Sequence, residues 1–298
     1  MKAVVFYISL PFIYLLSLLP FRAMYALSDA VFVLLYRLGG YRKKVVSENL
    51  RNAFPEKPEA ERQAIATKFY RHLCDNLLES LKLLTISPKQ LLRHCSFTPA
   101  SIALFSRLAA EGKSAVLITS HYGNWEWAGS VFPLQMRQPL YSLYYPLENK
   151  YFDACIKKMR GRTGARLVAV NDTLRTMIAN KNEASVTVFL GDQTPSNANA
   201  YWTQFLNQDT PIFWGPEKIA RKLNQVVVYG IIRKKKRGFY EVETTLLEPE
   251  PRKLPEGQLS EMHTRKLEQD IKAQPEFWLW SHRRWKRKRM SHRHDTGG

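Results

Sequence analysis

The chain has 298 residues, 45% of them hydrophobic, which suits one large domain with an appendage and excludes a disordered chain. Its three cysteines, Cys74, Cys95 and Cys155, are isolated and odd in number, which excludes a disulfide framework and a CxxC metal knuckle and points to a reducing compartment. The formal net charge of +19 draws the chain to a polyanion: nucleic acid, an anionic membrane surface or an acidic protein.

The N-terminus chooses among these. Ala3 to Phe21 carries no charge and is mostly apolar, and as a helix it would rise about 28 Å, just enough for a hydrocarbon core. Pro11 and Pro20 count against one straight span, and a pair of buried core helices is the other reading. A second, shorter apolar stretch, Ala23 to Tyr36, contains Asp29. Arg37, Arg42, Lys43 and Lys44 follow, as the positive-inside rule expects of a cytoplasmic flank. A cleaved signal peptide would need a basic n-region and a small-residue cleavage site, and only Lys2 and a poor site are available. Residues 1–45 are therefore expected to form a membrane anchor with a basic flank, and 46–298 the main domain with a basic tail.

Ser47–Pro58 reads as a short helix and a turn. Over Glu59–Leu84, apolar residues recur at steps of three and four, which predicts an amphipathic helix; Glu79 reads as a surface acid on it. Ser114–Thr119, Leu167–Val170, Ser185–Leu190, Val226–Ile232 and Phe239–Leu246 are strand candidates. Helices are expected from about Asn124 and over Asn149–Met159, Pro216–Leu223 and Leu259–Lys272. Such alternation predicts an α/β fold, a mixed sheet flanked by helices.

The segment SAVLITSHYGNWEWAG, Ser114 to Gly129, carries the candidate chemistry. A buried strand ends at Ser120, His121 follows on the loop, Gly123 allows a tight turn, and Asn124 can cap a helix containing Glu126. The carboxyl end of a strand, just before a helix, is where open α/β sheets place ligands. In a continuous helix a five-residue step turns side chains about 140° apart. His121 and Glu126 can therefore meet only if the backbone bends at Gly123. A carboxylate on one ring nitrogen would fix the tautomer and leave the other nitrogen to take a proton from a hydroxyl. With 7 His and 26 acidic residues, about 0.6 H-x4-[DE] matches arise by chance. His263 and Glu268 form such a match, in a charged continuous helix, and are set aside.

The order of motifs resembles one family, the bacterial late acyltransferases of lipid A biosynthesis. SENLRNAFPE is similar to its pre-catalytic segment and SHYGNWE to its H-x4-[DE] motif. RGR at Arg160–Arg162 is similar to its basic element, GDQTP at Gly191–Pro195 falls at its acidic motif, and QPEFWLWSHRRWK matches its C-terminal signature. The resemblance implies a fold similar to that of glycerol-phosphate acyltransferases with an N-terminal membrane helix. It implies transfer of an acyl chain from acyl carrier protein to the hydroxyl of a lipid-bound acyl chain, a lipid A precursor. The place of work would be the cytoplasmic face of the bacterial inner membrane, with no metal or bound cofactor. His121 is then the expected general base and Glu126 its orienting partner. Asn124, Arg160, Arg162, Asp192 and Gln193 are expected to bind substrate, with Arg160 and Arg162 on a phosphate of the acceptor. The oxyanion donor would be a backbone N–H of the Tyr122–Trp125 turn or a nearby guanidinium.

Trp125 and Trp127 could line an acyl pocket, and the basic tail could meet an anionic leaflet or the acidic carrier protein. The alternatives are acylation of a lysophospholipid or aminolipid, and, from another class, a membrane-tethered basic nucleic-acid-binding protein. The last leaves the strand–His–Gly–Asn–Glu turn without a purpose.

Overall fold

The alternation of apolar runs and amphipathic segments folds into a sheet covered on both faces by helices. The computed structural model describes residues 2–195 and 200–289, so Met1, part of the Pro195–Thr210 loop and the tail from 290 onward lie outside the described residues. Along the chain, α1 (Lys2–Leu18) and α2 (Phe21–Phe32) form a bent hairpin, prolonged by a π-helical turn at Val33–Leu38. Then come α3 (Lys43–Ala53), α4 (Glu59–Lys82), α5 (Pro88–His94), β1 (Cys95–Phe97), α6 (Pro99–Ala110) and β2 (Ala115–Thr119). These lead to α7 (Trp125–Gln135), β3 (Leu140–Tyr144), α8 (Lys150–Gly161), β4 (Arg166–Ala169), α9 (Thr173–Ala179) and β5 (Val186–Leu190). The rest is β6 (Tyr201–Phe205), β7 (Gln208–Ile212), α10 (Gly215–Leu223), β8 (Val226–Lys236), β9 (Phe239–Glu248) and α11 (Gln258–Ala273).

Seven strands form one mixed sheet in the order β1-β9-β8-β2-β5-β3-β4, parallel throughout except for the β8–β9 hairpin. β6 and β7 make a separate antiparallel ribbon, its turn formed by Leu206 and Asn207 in the left-handed region. The sheet obeys the two-residue period of a strand covered on both sides. Ala115 and Leu117 of β2 face a core built with α5, α6 and α7, whereas Val116 and Ile118 face Met177, Ala220 and Leu259 from α9, α10 and α11. A third cluster, with Phe69 and Tyr70 of α4, packs around Trp278 and Trp280 of the C-terminal signature.

The N-terminal helix expected over Ala3–Phe21 ends at Leu18 and does not run on as one span. Pro20, with φ preset by its ring and no N–H to donate, ends the first helix and starts the second, and the two segments turn by 120°. No single helix among the described residues is long and apolar enough to cross a membrane; only the two arms of this bent pair taken together have the length and apolar composition. α1 is held to the body at both ends. Asn149 Nδ2 donates to the Lys2 carbonyl (3.2 Å), while Lys82 Nζ and Thr85 Oγ1 donate to the Ser17 carbonyl (2.9 and 2.6 Å). Phe6 faces inward; Val4, Ile8, Phe12 and Leu15, spaced along the opposite side, are exposed.

Candidate active site

β2 and β5 lie side by side and parallel, with Thr119 opposite Leu190. His121 and Asp192 each follow that pair by two residues, so the register delivers both to the same rim of the sheet. His121 Nδ1 donates to Asp192 Oδ1 at 2.7 Å, and the His121 backbone N–H donates to Asp192 Oδ2 at 3.0 Å. The Trp278 indole donates to the same Oδ2 at 2.8 Å. Burial alone would raise the Asp192 carboxyl, but His121 and these hydrogen bonds outweigh it and hold the group below the usual carboxylate range. With Nδ1–H committed, Nε2 carries the lone pair, and the Gln193 amide approaches it at 3.3 Å.

The expected pairing of His121 with Glu126 is thereby corrected. The chain does bend at Gly123 (φ +63), where a Cβ would sit 2.5 Å from the Ile232 carbonyl oxygen, so only glycine fits. The bend does not bring Glu126 to the imidazole. Glu126, in the first turn of α7, is gripped by the Arg160 guanidinium of α8, Nε reaching Oε2 at 2.8 Å and Nη2 bonding Oε1. Burial works against the Arg160 charge, but the Glu126 carboxylate more than offsets it and raises the guanidinium's pKa. Arg160 Nη1 makes no hydrogen bond among the described residues.

Two cavities meet at this rim. An apolar one lies between α7 and the sheet, lined by Phe97, Leu117, Trp125, Gly129, Phe132 and Ile232, with Thr119, Glu126, Ser130, Ser142 and Arg160 as its polar members. A wider groove holds His121, Gln193, Arg160, His282 and Lys286 together with Tyr144, Tyr145 and Leu147. Arg160, Leu143 and Leu190 line both. His282 stands in the groove beside Thr194, and burial pushes its imidazole down to about 4, so it is neutral at pH 7.

Of the other residues expected to bind substrate, Gln193 and Arg160 line the groove, and Asp192 stands behind His121. Asn124 and Arg162 are turned to other tasks. Asn124 is 2% exposed; its Oδ1 caps α7 by accepting from Trp127 N (2.9 Å), and its Nδ2 donates to Glu79 Oε2 (2.7 Å). Arg162 donates to the carbonyls of Leu83 and Ile86, tying the end of α8 to the α4–α5 connection. Trp125 stacks edge-on to His121, ring centroids 5.1 Å apart, and lines the apolar cavity, whereas Trp127 is buried with its indole on the Glu79 carbonyl. The discarded His263 and Glu268 sit in α11, Glu268 paired with Arg265 and Lys272.

The C-terminal signature acts as a brace. Besides Trp278 on Asp192, the Phe277 carbonyl accepts from Gly123 N–H (3.0 Å), and Tyr122 bridges to Trp278. Arg284 donates to the Pro211 carbonyl and accepts, through its own carbonyl, from Thr194 Oγ1. The sequence holds the two halves of the His–Asp pair, apolar strands SAVLIT and SVTVFL each followed by one residue and then His or Asp, but not the adjacency of those strands that joins them.

A half-buried histidine with a carboxylate on one ring nitrogen and an adjoining apolar cavity suit chemistry on an apolar chain, and comparison with known proteins agrees. The chain is similar to a lipid A biosynthesis acyltransferase of Haemophilus influenzae, 21% identical over 234 residues, covering 78% of this chain and 72% of that protein. The profile of the bacterial lipid A biosynthesis acyltransferases matches residues 1–287. The chain belongs to this family and is an acyltransferase.

Proposed function

We propose that the chain moves a fatty acyl group from acyl carrier protein to the hydroxyl of a lipid-bound acyl chain, a lipid A precursor, at the cytoplasmic face of the inner membrane. The observation that carries this reading is the His121–Asp192 pair, whose Nε2, met only by the Gln193 amide among the described residues, faces a groove adjoining an apolar cavity beside Arg160. The acceptor hydroxyl displaces the Gln193 amide and binds to His121 Nε2. As its oxygen attacks the thioester carbonyl, the proton passes to Nε2, and Asp192 stabilises the imidazolium that forms. Collapse of the tetrahedral intermediate breaks the C–S bond, and the thiolate takes the proton back from His121. Arg160, oriented by Glu126, supplies its Nη1 donors to the oxyanion. In this scheme Glu126 acts on the guanidinium and Asp192 on the imidazole.

The apolar cavity suits the donor's alkyl chain, since Leu117, Phe132 and Ile232 offer it no hydrogen bond to lose. The N-terminal hairpin serves as the anchor, with the apolar face of α1 laid into the bilayer interface and its ends tied to the body. Arg283 and Lys286–Arg289 add attraction to an anionic leaflet or to acidic acyl carrier protein.

The test offers the purified protein acyl-loaded carrier protein with three acceptors in mixed micelles: a lipid A precursor, the same lipid lacking its free acyl-chain hydroxyls, and a lysophospholipid. The reading expects a product one acyl chain heavier from the first alone. Equal product from the second, or product only from the third, overturns it.

A further inference from the structure

Glu79 reads from sequence as a surface acid, yet its exposure is 0%. Its carboxylate faces hydroxyls and an amide. Tyr25 Oη donates to Oε1 at 2.8 Å; Asn124 Nδ2 and Tyr240 Oη donate to Oε2 at 2.7 and 2.8 Å. Desolvation is the main influence on the group and raises its pKa. A buried carboxylate is costly unless fully hydrogen-bonded, and here each donor comes from a different element: α2, the turn before α7, and β9.

Asn124 is the residue that matters. It caps α7, so whatever fixes its side chain fixes the start of the helix that carries Trp125 and Glu126. One face of α4 grips this turn at three points. Asn76 Nδ2 donates to the Gly123 carbonyl (2.7 Å), Glu79 holds the Asn124 amide, and the Glu79 carbonyl accepts from the Trp127 indole (2.8 Å). His121 lies two residues before Gly123. Its imidazole is set by Asp192 on one side, and its backbone leads directly into the turn gripped by α4.

The third donor comes from the N-terminal hairpin. Tyr25 reaches Glu79 across Gly238, where a Cβ would lie 2.1 Å from the Tyr25 hydroxyl oxygen. The same stretch of α2 is seated by Ser28 Oγ on Asp75 (2.8 Å) and by Arg237 Nη2, which bonds Asp29 Oδ1 and Asp75 Oδ1 at 2.8 Å each. A hydrogen-bonded path thus runs from the hairpin, through one buried carboxylate, to the catalytic turn.

We propose that Glu79 is a positioning residue for acyl transfer, and that Tyr25 makes the geometry of the catalytic turn depend on the seating of the N-terminal hairpin. The inference rests on His121 being the general base. Displacement of a reacting group by about 1 Å costs on the order of 10²-fold in rate, so loss of the grip lowers kcat and leaves donor binding in the apolar cavity alone.

The experiment measures kcat, KM for acyl-loaded carrier protein and the thermal midpoint for the full-length protein and for Glu79→Ala, Glu79→Gln, Glu79→Asp, Tyr25→Phe and His121→Ala in detergent. Gln can keep every contact, its amide nitrogen donating to Tyr25 and its oxygen accepting from Asn124 and Tyr240. Asp keeps the charge and loses the reach. The expected result is a kcat lowered on the order of 10²-fold in Glu79→Ala and Glu79→Asp, near-normal in Glu79→Gln, and several-fold lower in Tyr25→Phe, with KM unchanged. Should Glu79→Ala not fold, the contrast between Asp and Gln decides. Glu79→Asp as active as Glu79→Gln, or kcat falling only in step with KM, overturns the positioning role, and unchanged kcat in Tyr25→Phe overturns the link to the hairpin. An active His121→Ala would instead overturn the general-base reading itself.

Discussion

Replacing Asp192 by asparagine separates the two roles proposed for carboxylates in this site. Asp192 Oδ2 accepts two N–H groups, from His121 and Trp278, whereas among the described residues Oδ1 accepts only the His121 ring. An asparagine therefore places its oxygen at the Oδ2 position and its amide nitrogen against His121 Nδ1. Two donors cannot face each other, so the ring takes the other tautomer, with the proton on Nε2 and no lone pair for the acceptor hydroxyl. In enzymes with the same His–carboxylate logic that inversion costs about 10⁴ in kcat, roughly 5 kcal/mol of transition-state stabilisation. The shape of the side chain and its hydrogen bonds to Trp278 and the backbone survive, so KM for the acyl donor and the thermal midpoint should change little. Glu126→Gln should behave differently. It weakens one arm of the grip on Arg160 and leaves the imidazole untouched, which predicts a loss nearer 10²-fold, the scale of a misplaced oxyanion donor. Steady-state transfer from acyl-loaded carrier protein, assayed at saturating donor, reads both. The reasoning is refuted if Asp192→Asn keeps activity within about tenfold while Glu126→Gln loses the full 10⁴, because the orienting carboxylate would then be Glu126.

Gly129 lines the apolar cavity and an added Cβ there meets nothing within 4 Å. Gly129→Leu should fill that space and shift the preferred donor to shorter chains, kcat/KM falling about tenfold or more per methylene excluded; a donor-length series checks it, and an unchanged profile refutes it. His263 is buried and its imidazole is pushed down to about 4 by desolvation, well below its unfolded value. The unfolded chain thus takes up a proton that the folded chain refuses, so stability falls as pH drops from about 6.5 towards 4, by up to about 3 kcal/mol. His263→Met should lessen that acid slope in thermal midpoints measured from pH 7.5 to 4.5. Gly123→Ala combines a positive φ with a contact on the Ile232 carbonyl and should cost about 2 kcal/mol or more, seen as a lower thermal midpoint together with lost transfer.

The sheet and the loop that bears His121 were legible in the sequence because both depend on local signals: apolar runs bounded by turn residues, a glycine bend and an asparagine cap. The partner of His121 was not. Asp192 was marked as a substrate contact, and its pairing with the imidazole depends on β5 returning to lie beside β2, a matter of strand order that neither segment encodes. Arg160 and Arg162 look equivalent in the motif RGR, yet two residues of helix separate their directions by about 200°, so one meets Glu126 and the other the end of α4. Glu79 was misread because its donors are 54, 45 and 161 residues away. β1 is three residues long, and β3, β6 and β7 carry polar residues on half-exposed faces, so periodicity gave them little signal. Pro20 marks the break in the apolar stretch in the sequence itself, whereas the 120° of the turn is read only from the structure.

The most direct measurement is a single turnover of purified protein and its His121→Ala variant, each in excess over acyl carrier protein loaded with a radiolabelled acyl chain, together with a hydroxylated lipid A precursor. The proton-transfer role predicts that the label reaches the lipid with the native protein and stays on the carrier with the variant, although both bind the carrier equally. Label arriving on the lipid at a similar rate in both proteins would contradict it.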